Sequence, residues 1–325
     1  IKILTMAALA TAVFASCSNE DGLPQSNYPA DNVVRIMTSV DGMNTRASYG
    51  NSADKLKSFG FCIKNANSEK YTYDNIKVSQ KGYNWIPATQ MLWQNSTTAV
   101  DILAYAPYQE TTEDANGKVK VFGKTDYAFS VQADQSDVED YSSDLIVYKQ
   151  TGFTPGTKLN TNQAVNVAFT HLLSQLNLII ELRDQFNTNN NTVTKGFVTD
   201  VKVNGTIISS KVDFSASPIS VQVDGTQTAA ITPETTGFTP AENATAHAVF
   251  NYSAIVIPQT VAAGNFSISF KVNNTEYIWT ATDAVTFESG KKHELHLLAG
   301  KDVVQGGAIS AIPWGDETIT EKETD

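Results

Sequence analysis

The residue with the most defined chemistry is Cys17. It closes the run Phe14-Ala15-Ser16-Cys17 after a short apolar stretch, Ile3–Phe14, that follows Lys2. A basic residue, a short apolar run and small residues before a cysteine are what a lipoprotein signal peptidase accepts, so Cys17 is expected to become an acylated N-terminus. The apolar stretch falls short of the ~20 residues that span a bilayer. The second cysteine, Cys62, then has no partner, and no disulfide framework is expected. The four histidines offer little catalysis. His293 and His296 lie three apart on a strand, which sends them to opposite faces and makes them a poor metal pair. His171 reads as a partly buried, satisfied histidine, and His247 has no acidic or thiol neighbour in sequence. Asp134, Asp137, Glu139, Asp140 and Asp144 share one loop but lack the glycine and closing glutamate of a calcium loop, so the loop reads as solvated. No nucleophile elbow, phosphate loop or His-Glu-x-x-His occurs. The residues point to a non-enzyme with no cofactor and no metal.

The elements that would position these residues are strands. Val34, Ile36, Thr38 and Val40 alternate, and Leu56–Lys64, Thr98–Tyr105, Tyr127–Gln132 and Asp144–Lys149 follow. Leu176–Leu182, Val198–Gly205, Tyr252–Pro258, Phe266–Val272 and His293–Leu298 continue the series. Turns such as Asn116-Gly117, Asp224-Gly225 and Ser289-Gly290 separate them, and no long amphipathic helix is evident. In Ser58–Lys64, Phe59, Phe61 and Ile63 share a face and Cys62 points the other way. A weak internal echo suggests two sandwiches in tandem. The expected organisation is a signal and lipobox over 1–17 and a tether over 18–32. An N-terminal β-sandwich over 33–158, a C-terminal one over 159–315 and a polar tail over 316–325 follow, with the boundary placed in Thr151–Asn162 or, as the alternative, 20–30 residues later in Asn187–Asn191.

The chain has 325 residues, 41% of them hydrophobic and 18% charged, which is enough for a packed core and too apolar for disorder. Its net charge of −11 repels phosphate backbones, so no nucleic acid is expected as a partner. Tyr83, Trp85, Trp93, Tyr105 and Tyr108 fall in one stretch and could form either core or a sugar-stacking platform.

Several pieces together resemble the fimbrillin family, the lipoprotein pilins of Bacteroides-like bacteria. They are the lipobox, the acidic Ser18-Asn19-Glu20-Asp21-Gly22, the first strand ending near Thr45-Arg46-Ala47, and Phe59-Gly60-Phe61. Phe169-Thr170-His171-Leu172-Leu173-Ser174 running into an alternating strand, and the final Ile312-Pro313-Trp314, complete the set. The resemblance implies an all-β fold of two transthyretin-like sandwiches. It also implies assembly with other fimbrial subunits into adhesive fimbriae at the outer membrane and cell surface, where a host or bacterial ligand would be met. It further implies maturation by an Arg-specific protease. Arg46 matches that site, with Ala47 as the new N-terminus, and the segment 33–46 would leave with the lipid anchor. Val34, Ile36 and Val40 would then be a removable plug in a groove between the sheets of the first sandwich. A sheet edge freed in this way is a template for another strand. The tail after Trp314 offers only Ile319 among acids, which suits a tip or accessory subunit better than one that donates a strand. The alternative is a surface glycan-binding lipoprotein of a polysaccharide-utilisation system, which would share the lipobox, the tether and the sandwiches.

Overall fold

The computed structural model describes residues 27–40, 55–110, 121–187 and 193–314. Cys17, Arg46 and Ala47 lie outside them. The fold is all-β. The first strands are β1 (Arg35–Val40), β2 (Ser58–Lys64), β3 (Tyr73–Lys81), β4 (Asn84–Pro87), β5 (Val100–Ala106), β6 (Tyr127–Ser130), β7 (Ile146–Phe153) and β8 (Ala164–His171). Then come β9 (Ser174–Leu182), β10 (Val198–Ile207), β11 (Ser209–Asp213), β12 (Ser220–Val223), β13 (Thr228–Ile231), β14 (Glu234–Thr239) and β15 (Ala248–Val256). The series ends with β16 (Gln259–Val261), β17 (Ser267–Val272), β18 (Thr275–Thr280), β19 (Val285–Phe287), β20 (Lys291–Ala299), β21 (Val304–Gly306) and β22 (Ser310–Pro313).

Seven strands form one sheet in the order β1-β8-β7-β5-β2-β3-β4. Its central strands are buried on both faces, which explains why Ser58–Lys64 reads as an almost unbroken apolar run. Phe59, Phe61, Ile63, Ile102, Ala104, Val165, Val167 and Phe169 fill one core, whereas Cys62, Leu103 and Tyr105 face a second, larger core. The free Cys62 is fully buried, and burial pushes its thiol pKa well above the usual value. It is a small apolar filler and a poor nucleophile. The sheet curls far enough that Cα atoms of its two end strands, β1 and β4, come within 8 Å. Gly60 on β2 makes room for the ring of Tyr105 on β5: a Cβ there would lie 2.2 Å from it.

The remaining strands build a six-stranded sheet, β14-β15-β9-β20-β21 with β22 also on β20, a four-stranded sheet, β13-β10-β17-β18, a three-stranded sheet, β12-β11-β6, and the pair β16-β19. Alternation is clean on β17, buried at Ile268, Phe270 and Val272 and half-buried between. Two features depart from the picture of separate sandwiches divided at 158. The strand β8 belongs to the seven-stranded sheet, so the chain changes sheet at Leu172-Leu173. The strand β6 pairs with β11 across about a quarter of the chain, in register from Tyr127↔Val212 to Ser130↔Ser209. The two halves are further stapled by side chains. The Gln135 amide accepts from the Ile255 N–H (2.7 Å) and donates to the Ile255 carbonyl (2.9 Å). The Lys149 ammonium donates to the carbonyls of Phe214, Ser215 and Ala216 at 2.8–2.9 Å.

Candidate functional site

The strand β1 and the residue just before it carry the side chains that the sequence singles out as a plug. Val34, Ile36 and Val40 are 3%, 6% and 6% exposed, and they belong to the core of Phe59, Phe61, Val165, Val167 and Phe169. Arg35, Met37 and Ser39 alternate outward. The groove is not a gap between two sheets. It is the outer edge of β8 within a single curled sheet, and β1 lies on it in parallel register from Arg35↔Ala164 to Val40↔Phe169. The reason is that β8, read as part of the second sandwich, completes the first sheet and offers its edge to β1.

A clip holds the start of the strand. The Val34 N–H donates to the Met91 carbonyl (3.0 Å) and the Trp93 N–H to the Asn32 carbonyl (2.8 Å), around a bridge between Val33 and Leu92. Nothing in the sequence marks Met91–Trp93 for this role except that it is a short apolar run. The Arg35 guanidinium hydrogen-bonds Asp31 (2.6 Å) and holds its carboxyl below the usual carboxylate range, but both side chains are exposed and stabilise the clip little. On the outer side the amides of Asn160 and Asn162 donate to the Met37 sulfur at 3.4 and 3.3 Å.

Magnitudes decide how firmly β1 is held. Burying three aliphatic side chains gains about 1.5–3 kcal/mol each, and ordering a six-residue strand costs about 1–2 kcal/mol per residue. The two sums are similar, so the ladder to β8 and the covalent link to the rest of the chain, which keeps the local concentration of the strand high, tip the balance.

The other candidate residues fall elsewhere. His171 is buried, with Nδ1 2.9 Å from Asp144 Oδ1, and its ring stacks on Trp314 at 4.0 Å between centroids and 4° between planes. Asp144, read as part of a solvated acidic loop, is fully buried. The register Ile146↔His171 between β7 and β8 carries it there. The rest of that loop does stand in solvent: Asp134, Asp137 and Asp140 accept hydrogen bonds from the backbone N–H groups of Ser136, Glu139 and Ser142. His247, without an acidic neighbour in sequence, has one in space. Glu181 takes His247 on one oxygen and His296 Nε2 on the other at 2.6 Å. The register Val249↔Glu181 between β15 and β9 makes this pair, and no local pattern could have found it. Among the described residues no group of three or more ligand-type side chains is placed to hold a metal. Trp93 and Tyr105 are core, so the five aromatics do not form one platform.

His293 is 1% exposed, and its Nε2 accepts from the Glu288 N–H at 3.2 Å. Desolvation lowers its pKa below the ordinary 6.5. A depressed folded pKa means that the unfolded chain takes up the proton first as pH falls. The contribution of this residue to stability is therefore full above pH 6.5 and lost on the way down through the folded pKa. His293→Gln is expected to flatten the fall in stability between pH 7 and pH 5 relative to the parent, measured by urea unfolding at each pH. An unchanged pH slope would contradict this.

The sequence matches the family described as Fimbrillin-like over residues 45–314. Among solved structures, it is similar to a Bacteroides ovatus protein described as a candidate cell adhesion protein, with a TM-score of 0.62 and 14% identity over 89% of this chain and 100% of that one. A Bacteroides uniformis protein of the same description gives 0.55 and 16% over 87% and 100%. A fimbrial protein from Bacteroides vulgatus gives 0.52 and 18% over 86% and 99%. At these identities the structures speak for the fold. A comparison with curated proteins found no match.

Proposed function

Because the chain belongs to the fimbrillin-like family, a family of structural fimbrial subunits, we propose that it is a fimbrial subunit matured by strand exchange. In this reading the protein is exported as a lipoprotein through Cys17 and carried to the outer membrane and cell surface. An Arg-specific protease cuts it after Arg46, and β1 departs with the lipid anchor. The observation that carries the reading is the position of β1. Ile36 and Val40 of β1, with Val34 just before it, are buried beside the edge of β8, and in sequence Arg46 falls between β1 and β2, where a cut would separate the plug from the rest. Removing β1 would bare a row of unpaired backbone groups above Val165, Val167 and Phe169, a template for a strand from a neighbouring subunit. The acidity of the chain stays with the mature part, since Lys2, Arg35 and Arg46 leave together with Glu20, Asp21, Asp31 and Asp41. The acidic tail after Trp314, with Ile319 as its one aliphatic residue, suits a tip or accessory place that accepts a strand without donating one.

The test is the intact mass and N-terminal sequence of the protein taken from its native cell surface. A chain beginning at Ala47 is expected. Chains beginning only at Cys17 would remove the cut from the account and leave a lipid-anchored subunit.

A further inference from the structure

Three of the large exposed hydrophobic residues among those described, Met37, Tyr83 and Ile86, line a single groove of about 590 Å³ between β1 and the β3–β4 hairpin. Tyr83 is fully exposed at the hairpin tip, and the half-buried Trp85 stands against Phe59 with 5.1 Å between ring centroids. Asn84 and Gln90 add amides to the same walls. Among the described residues neither amide nor the Tyr83 hydroxyl has a hydrogen-bond partner. In a chain of net charge −11, no carboxylate among the described residues lines the groove. The one cation among those lining residues, Arg35, is paired with Asp31.

These features select among occupants. An extended peptide joining β1 to β4 would need its neighbours about 9.5 Å apart, twice the strand spacing. The two strands approach within 8 Å, and Pro87 removes a donor from the β4 edge. An acidic ligand would find no free cation. What remains is a ligand with apolar ring faces and many neutral hydroxyls. Exposed aromatic rings take the C–H faces of sugars, and amides both donate to and accept from hydroxyl groups. The volume lies within the usual range for small-ligand clefts.

We propose that the groove between β1 and the β3–β4 hairpin is a carbohydrate-binding site for a short stretch of uncharged glycan, with Tyr83 and Trp85 as stacking rings and Asn84 and Gln90 as hydroxyl partners. The cut after Arg46 would take away its β1 wall, Val33–Met37, so the site as described belongs to the uncut chain, which is the form that tests it, and failure here leaves the maturation reading untouched. The experiment is binding of the full chain to an array of neutral oligosaccharides (glucans, mannans and galactans) with sialylated oligosaccharides alongside. Tyr83→Ala and the double variant Asn84→Ala/Gln90→Ala are each expected to lower retention of the best neutral probe at least tenfold with thermal unfolding unchanged. Ile278→Ala, exposed on β18, should bind as the parent does. The proposal is overturned if the parent retains no neutral probe, if it retains sialylated probes alone, if an unstructured peptide displaces the glycan while Tyr83→Ala still binds it, or if both groove variants bind as the parent does.

Discussion

Arg46→Ala is expected to leave the full-length protein folded and to abolish its high-mass assemblies. If Arg46 is the loop arginine that its sequence neighbours suggest, its replacement should change stability by about 0.5 kcal/mol or less, and the unfolding midpoint should be that of the parent. On the proposed reading assembly should respond in an all-or-none way, because an uncut tether would keep β1 at high local concentration beside β8 and out-compete a neighbouring strand. Two readings check this on the same sample. Unboiled gels of surface extracts should lose the ladder of high-mass bands. Amide hydrogen exchange along β8 should stay slow, since β1 continues to cover Ala164–Phe169. A full ladder from the variant would sink the switch.

Ile36→Asp is expected to do the reverse, releasing β1 without any cut. Ile36 is 6% exposed and opposite Val165 in the ladder. The substitution loses about 1.5–3 kcal/mol of apolar burial and asks a carboxylate to sit in an apolar groove, which costs several kcal/mol more. Since the strand is held by a margin smaller than that, the uncut variant should expose the β8 edge. It should elute as oligomers in size-exclusion chromatography, and exchange at Val165–Phe169 should accelerate by at least a hundredfold. Met37→Asp, one residue on and facing outward, is the matched control and should remain monomeric. If Ile36→Asp stays monomeric with a protected β8, the strand is not the element that keeps the precursor closed.

The strands that alternate or run apolar were legible before any coordinates, because burial leaves a period of two on β1 and β17 and an unbroken run on β2. The strand β3 was missed. Val78 is its only buried residue, and Tyr73–Lys81 is otherwise polar and half-buried, which is the composition of a loop. The plug residues were readable as an apolar face, but their groove was misplaced. Which sheet claims β8 depends on a register with β7 that begins at Ile146↔His171, and sequence distance hides it. The pairing of β6 with β11 was hidden for the same reason, as was the Glu181 carboxylate between His247 and His296. Local pattern reports which face of a strand meets the core. It does not report which distant strand shares the edge.

The polarity of β1 has a thermodynamic consequence. It runs parallel to β8, and parallel ladders have slanted bonds and slightly less stability per residue than antiparallel ones. A newcomer laid head-to-tail against β8 would trade tilted contacts for perpendicular ones along the same six positions. On orientation alone the present occupant holds the slightly less stable of the two pairings, and if a cut removed its tether that small difference would favour a replacement laid the other way.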